Sequence, residues 1–365
     1  MTQQEALYSR YLLDGMEASS TPAELIRDYG ECQVPESDYA GDIVDETLDP
    51  APIPCTFDRS EIPEYVSRIL GMRRDFPVRY ARAEAKLHAA EALCETLWLD
   101  GHFRLGNLRI TPQWTWNDSM VGNMSAFYDS VEALVEFAGE AGIRLDGYGY
   151  SESGDICRLD ISTRISKTRT IDEEESELII PGLVRRCAGR ALPDRNSWIV
   201  YVPFDTCPYR LGGSALSEFA GNGGDNASEI QDADYFIDCY EVIREMVEDG
   251  VAMSGVTVAK GGLMTAAAAL CSGTGLELDI SGLASSCGET NTARLLFGEV
   301  PGVLVQFNDN DFDYIDSQFL LQDVAYYPVG HPCGTPGTIN IINNRKPAVT
   351  GILDSLLKQA GEGED

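Results

Sequence analysis

Histidine is scarce in this chain, three among 365 residues and none close to another. None of the ten cysteines falls in a Cys-x-x-Cys pair. The spacing therefore excludes a Cys/His metal finger and a regular disulfide framework, and it predicts reduced thiols, mostly buried, in an intracellular protein. Basic residues are also in deficit: 27 Lys and Arg, with lysine the rarer, face 59 Asp and Glu, for a formal net charge of −32. That deficit excludes nucleic acid and anionic membrane surfaces as partners, because either polyanion would be repelled. No apolar run approaches the roughly 20 residues of a membrane span. The opening MTQQEALYSR lacks the basic-then-apolar order of a secretory signal, so a cytoplasmic protein is expected.

What is present suits a soluble globular protein: 44% hydrophobic and 24% charged residues, in a chain long enough for two or three domains. The acidic excess fits a salt-adapted surface or a patch that faces a basic protein partner.

The stretch 251–280, VAMSGVTVAKGGLMTAAAALCSGTGLELDI, organises the rest. An apolar, β-branched run ending at Val258 meets a turn of Lys260, Gly261 and Gly262, and an alanine-rich helix follows as far as Gly273 or Gly275. Paired glycines let backbone approach closely at a helix N-terminus, where free N–H groups and the helix dipole favour an anion. The same pair serves equally as a tight turn chosen for packing. Gly212, Gly213 and Ser214 in YRLGGSALSEF stand at another predicted helix start. Lys260 could meet a phosphate directly or stand exposed on its turn.

In chain order, residues 1–58 read as an acidic appendage. A short helix over 22–29, capped by Ser20 or Thr21 and stopped by Gly30, precedes a segment of carboxylates and prolines that should run extended over a surface. Another helix is expected after Ser60. Leu87, Ala90, Leu93, Cys94, Leu97 and Trp98 recur at helical spacing and predict a helix over 81–99, on which Glu91 and Glu95 share a face. Such a pair could ligate a divalent ion, accept a proton, or simply be solvated. An aromatic β segment over 105–118, an amphipathic helix over 124–142, two strands around a polar turn within 143–163 and a strand over 178–183 follow. After a boundary near 192–195, strands alternate with helices over 233–248, 262–271, 290–297 and 312–321. This alternation predicts an α/β layer with helices packed on a sheet. A tail helix is expected over 350–359. The domains expected are 1–58, 59–191, 192–345 and a tail, 346–365.

The order of these segments resembles that of phosphoribosylformylglycinamidine synthase, a purine-pathway enzyme, and its PurM-like (aminoimidazole-ribonucleotide-synthetase-like) relatives. RLGGSALSEFAG resembles the family's Leu-Gly-Gly-Ser element, and KGGLMTAAAALCSGTGLELDI its Asp-Gly-Gly-Leu helix and strand. LLFGEVPGVLVQF resembles its Leu-Phe-(Ser/Asn/Gly)-Glu and strand, and AEAKLHAAEALCE its nucleotide-site helix. The likeness runs over residues 60–345 and corresponds to the second half of the enzyme's duplicated synthetase region. It implies a two-lobed fold: an α+β first lobe whose strands close a barrel with another lobe, and an α/β second lobe with helices packed on mixed sheets. A homodimer, or a heterodimer with another synthetase-like chain, follows from that barrel. The resemblance also implies ATP or ADP with magnesium between lobes, and an ATP-dependent amidine-forming ligation.

Carried over residue by residue, Glu91 matches a family metal-binding glutamate, and Glu95 stands where an asparagine is usual. Thr257 falls where an aspartate ligand is expected, Ala259 where a serine contacts nucleotide, and Lys260 replaces the aspartate of Asp-Gly-Gly. Two lost carboxylates and an added ammonium would strongly weaken magnesium binding. The reading expected is a catalytically degenerate relative, with no catalytic residue of its own, that acts through protein association. Its rivals are an ATP-binding subunit of a split synthase, and a metal-independent binder of an anionic small molecule at Gly212, Gly213, Ser214, Lys260, Gly261 and Gly262.

Overall fold

The computed structural model describes residues 1–37, 39, 41–48, 75–171, 174–180, 183–220, 226–343 and 346–347. The helices expected after Ser60 and over 350–359, and Cys55, lie outside them. The described residues divide into two units, one from those within 1–48, 75–93 and 103–183, the other from those within 94–102 and 184–347.

In the first unit the N-terminal segment is built into the fold, and its acidic stretch, where described, includes an extended strand. It forms α1 (Gln3–Tyr8), β1 (Arg10–Leu13), β2 (Met16–Glu17), α2 (Pro22–Asp28) and β3 (Ile43–Glu46), with β1 central in a three-stranded sheet. Both helices open on a capping box, Thr2 with Glu5 and Thr21 with Glu24, each satisfying amides that a helix start leaves bare. The remaining elements are α3 (Ala81–Thr96), whose residues from Cys94 onward belong to the second unit, β4 (Leu108–Trp116), α4 (Asn123–Glu140), β5 (Arg144–Leu145), β6 (Gly149–Glu152), β7 (Arg158–Ile171) and β8 (Glu174–Ile180). Strand β4 pairs parallel with β5 and β6 and antiparallel with β7, which pairs with β8. Helix α4 lies on this sheet, where Phe127 meets Trp114, Trp116 and Tyr150 edge-on and the Trp114 indole donates to Ser130.

One acidic residue explains why the N-terminal segment stays. Helix α4 starts at Gly122, which has no side chain to cap it. The Glu46 carboxylate from β3 accepts the amides of Met124 and Ser125 at 2.8 and 3.2 Å. A carboxylate at a helix N-terminus also meets the positive end of the dipole. Tyr128 adds a hydrogen bond from α4 to the Ser20 carbonyl.

Asp129, on the same helix, carries a pH dependence. Burial, helped by Glu132 and Asp14 against the pull of Arg82, pushes its carboxyl up to about 6. A carboxyl that holds its proton more tightly when folded contributes stability that is complete below the ordinary aspartate range and is lost as pH rises through 6. Asp129→Asn should therefore change stability least near pH 4 and raise it by on the order of 1–2 kcal/mol at pH 7, after allowance for solvent screening. Paired thermal melts across that range check this, and a gain independent of pH would remove Asp129 as the cause.

The second unit holds β9 (Ser197–Pro203), α5 (Ala215–Ala220), α6 (Ala233–Glu248), β10 (Ala252–Val258), α7 (Gly262–Leu270), β11 (Leu276–Asp279) and α8 (Ser281–Cys287). It continues with α9 (Thr292–Phe297), β12 (Gly302–Asn308), α10 (Phe312–Leu321), β13 (Tyr327–Pro332), β14 (Ile339–Asn343) and β15 (Lys346–Pro347). The sheet order is β10-β12-β9-β13-β11-β14-β15, with β11–β14 parallel and the other pairs antiparallel. This is the expected α/β layer on a mixed sheet. Helix α8 is an addition: its sequence, SGLASSC, has few helix formers and is anchored by buried Leu283.

The helix expected to reach residue 99 ends at Thr96, because Arg244 of α6 takes the carbonyls that follow. It is fully buried and donates to Leu97 O at 2.6 Å, Leu99 O at 2.7 Å and Gly101 O. Among the described cysteines, Cys94, Cys157, Cys187, Cys207, Cys239 and Cys271 are buried and all are free thiols. No described helix is long and apolar enough to cross a membrane.

Candidate functional site

Two places in the second unit bear on the residues singled out by the sequence. The first is the pair of glycine turns. Gly261 and Gly262 both take left-handed backbone, φ +76° and +66°, and a Cβ at Gly262 would stand 2.7 Å from the Leu296 carbonyl oxygen. Only glycine fits there. Buried Glu299 lies between the two turns, and its Oε1 accepts the Gly261 amide at 2.7 Å and the Ala215 amide at 2.9 Å. Other amides of the turns are also engaged internally: Gly212 donates to Asn226 O, Ser214 to Leu211 O and Gly262 to Ala259 O. The Ser214 hydroxyl donates to Leu211 O as well. Lys260 is half-buried at the end of β10.

Glu299 enters the sequence reading only as the glutamate of the Leu-Phe-(Ser/Asn/Gly)-Glu resemblance and not as a site residue, although a signal was there. It is the one charge in LLFGEVPGVLVQF, and a lone carboxylate in an apolar run must be paired or hydrogen-bonded to stay inside.

The second place is the face of β10 around Thr257. Trp98 is fully buried, and its indole N–H donates to the Thr257 hydroxyl at 3.1 Å. Gly255, two residues before, makes room for the ring: a Cβ there would come within 2.2 Å of it. Arg185 lies over the same indole, 5.4 Å from its centroid, and donates to the carbonyls of Cys187 and Gly255. Its remaining fork end approaches Glu95 at 4.0 Å, in water-exposed surroundings where such a pair is worth little.

Glu91 and Glu95 lie one turn apart on α3, Glu91 half-buried and Glu95 exposed. Magnesium wants a rigid octahedron of oxygen ligands. The groups around Thr257 are an indole, a hydroxyl already used as an acceptor, and a guanidinium, and this donor set does not fit that ion. Among the described residues no group of three or more His, Cys, Asp or Glu side chains could hold a metal.

The fold and these segments define a class. In structure the chain is similar to T. maritima PurL complexed with FGAR, with a TM-score of 0.55 at 14% identity over 75% of this chain and 43% of that one. It is also similar to T. maritima PurL complexed with ATP, with a TM-score of 0.50 at 11% identity over 74% and 41%. The fold is PurM-like.

In sequence the chain is 24% identical over 263 residues to a probable phosphoribosylformylglycinamidine synthase of Arabidopsis thaliana, and 21% identical over 259 residues to the Homo sapiens enzyme of that name. These alignments cover 70% and 68% of this chain and 18% of each relative, so the chain spans about a fifth of the length of the relatives it matches. No family model matches the sequence. Together the sequence and structural likenesses support a PurM-like assignment, with similarity to phosphoribosylformylglycinamidine synthase.

Proposed function

We propose that this protein is a catalytically degenerate relative of phosphoribosylformylglycinamidine synthase, which keeps the fold and acts through association with other proteins. The observation that carries the reading is Trp98 seated over Gly255 with its indole on Thr257, where the resemblance calls for a metal aspartate. A buried indole and a guanidinium give no oxygen ligands to magnesium, and no step of ligation is routed through this site. Association fits a homodimer, a heterodimer with another synthetase-like chain, or a complex with a basic protein drawn to the net charge of −32.

A second reading is prompted by the ATP complex of T. maritima PurL. In it the chain is the nucleotide-binding subunit of a split synthase and works when another protein supplies the catalytic half. A thermal-shift titration with ATP and ADP, each with and without magnesium, separates the two. A ligand at a hundred times its dissociation constant adds about 2.7 kcal/mol to stability. The degenerate reading expects no magnesium-dependent rise, and such a rise, abolished by Glu91→Ala, would replace it with the second. A shift by metal-free nucleotide that is lost in Lys260→Ala would favour an anionic-ligand binder instead.

A further inference from the structure

We infer that the face formed by α6 and α10 in the second unit docks a basic, amphipathic helix of another protein. Between Arg294 and Arg345 the sequence has no lysine or arginine. Within that span, residues 309–323 read DNDFDYIDSQFLLQD, five aspartates interleaved with large apolar residues. Two of those apolar residues, Ile315 and Phe319, are buried and hold α10 on the unit. Leu320 and Leu321 are not used this way, being 77% and 76% exposed. Phe312, which opens the helix, is also exposed, and with Asp316 and Leu320 it follows four-residue steps along one face.

Helix α6 runs beside α10 in the opposite direction. The Ala325 amide, just past the end of α10, donates to Tyr235 near the start of α6, and Tyr314 near the start of α10 donates to Asp249 at the end of α6. The solvent side of α6 carries Asp234, Asp238, Glu241 and Glu245 at steps of four, three and four residues. Its one arginine, Arg244, is buried and turned to the carbonyls of 97–101, so it does not neutralise that row.

Single exposed apolar residues are ordinary. Two adjacent exposed leucines beside an acidic helix pair whose single base is buried are a different pattern, because the carboxylates do nothing to cover them. The complement is a helix with leucine-type anchors on one side and lysine or arginine flanking them. Apolar anchors would supply affinity, and the charges would supply encounter rate and orientation. This inference rests on the reading that the protein acts by association, and it adds the face and the chemistry of the partner.

The test uses the full chain and a fluorescein-labelled synthetic peptide of about 18 residues, made of leucine and lysine in helical amphipathic order, near 150 mM salt. A peptide of the same composition in scrambled order is the control. Fluorescence anisotropy should show saturable binding of the amphipathic peptide and at least about tenfold weaker binding of the scrambled one. Leu320→Ser with Leu321→Ser should weaken binding about tenfold, and Asp234→Asn with Asp238→Asn should flatten its salt dependence. All four positions are exposed, so unchanged melts in the variants will show an intact fold.

No binding, equal binding of the scrambled peptide, or an unaffected leucine double variant would overturn the inference. The last two would mark the surface as a general polyanion. Running the magnesium–nucleotide titration on the same preparation keeps the two failures apart. A magnesium-dependent shift there overturns the degenerate reading alone, and a silent peptide titration beside silent nucleotides overturns this face alone.

Discussion

Arg244→Ala should destabilise the second unit by about 3–5 kcal/mol, the usual loss when one member of a buried charged network is removed. The guanidinium donates to three carbonyls just past the end of α3, so truncation leaves the buried Leu97 carbonyl without this donor and unties the half-buried Leu99 and exposed Gly101 carbonyls from it. It also removes the cation 3.3 Å from Glu248, whose side chain is itself nearly buried. Arg244→Lys should recover part of the loss, since an ammonium carries charge but cannot span three acceptors as a planar fork does. The urea midpoint of the variant, together with amide exchange over residues 94–102, reads this directly. An unfolding free energy within a few tenths of a kcal/mol of the parent would show that Arg244 is dispensable.

Glu299→Ala is expected to cost about 2–5 kcal/mol, because each buried amide deprived of its acceptor loses on the order of 1–3 kcal/mol. The two amides are those of Ala215 and Gly261, so exchange protection should fall at both the Gly-Gly-Ser and the Lys-Gly-Gly turns. Glu299→Gln keeps a carbonyl acceptor and should lose far less. The variants also probe the anion reading of these turns. A carboxylate already occupies the donors that an anion would need, so neutralising it should strengthen binding of inorganic phosphate if such binding exists. Protection unchanged at both amides in Glu299→Ala would dismiss Glu299 as the link between the turns.

Much of this fold was legible in the sequence because its helices and strands have clean periods. The helices over 233–248 and 312–321 match α6 and α10 to the residue, and the helix over 22–29 begins at the expected Thr21 cap. What was not legible depended on long-range placement. The acidic N-terminal segment reads as extended by composition, and β3 is extended, but composition does not show that Glu46 caps a helix start 78 residues later. Trp98 falls in the apolar pattern of a helix, but it lies past the helix end and packs on β10. Thr257 could be marked as a departure from the family pattern, whereas the indole and guanidinium beside it come from segments about 160 and 70 residues away. Periodicity records which side of an element faces inward. It carries no record of which distant side chain will be met there.

The fit between Trp98 and Gly255 has a consequence for how this protein can change. A methyl group at 255 would collide with the ring, and a smaller side chain at 98 would leave a void of indole size against bare backbone. Neither position can drift by itself, so among descendants the two should be inherited as a linked pair. A lineage that placed a carboxylate at 257 would have to fit it beside this interlocked pair, which makes this face of β10 hard to rework.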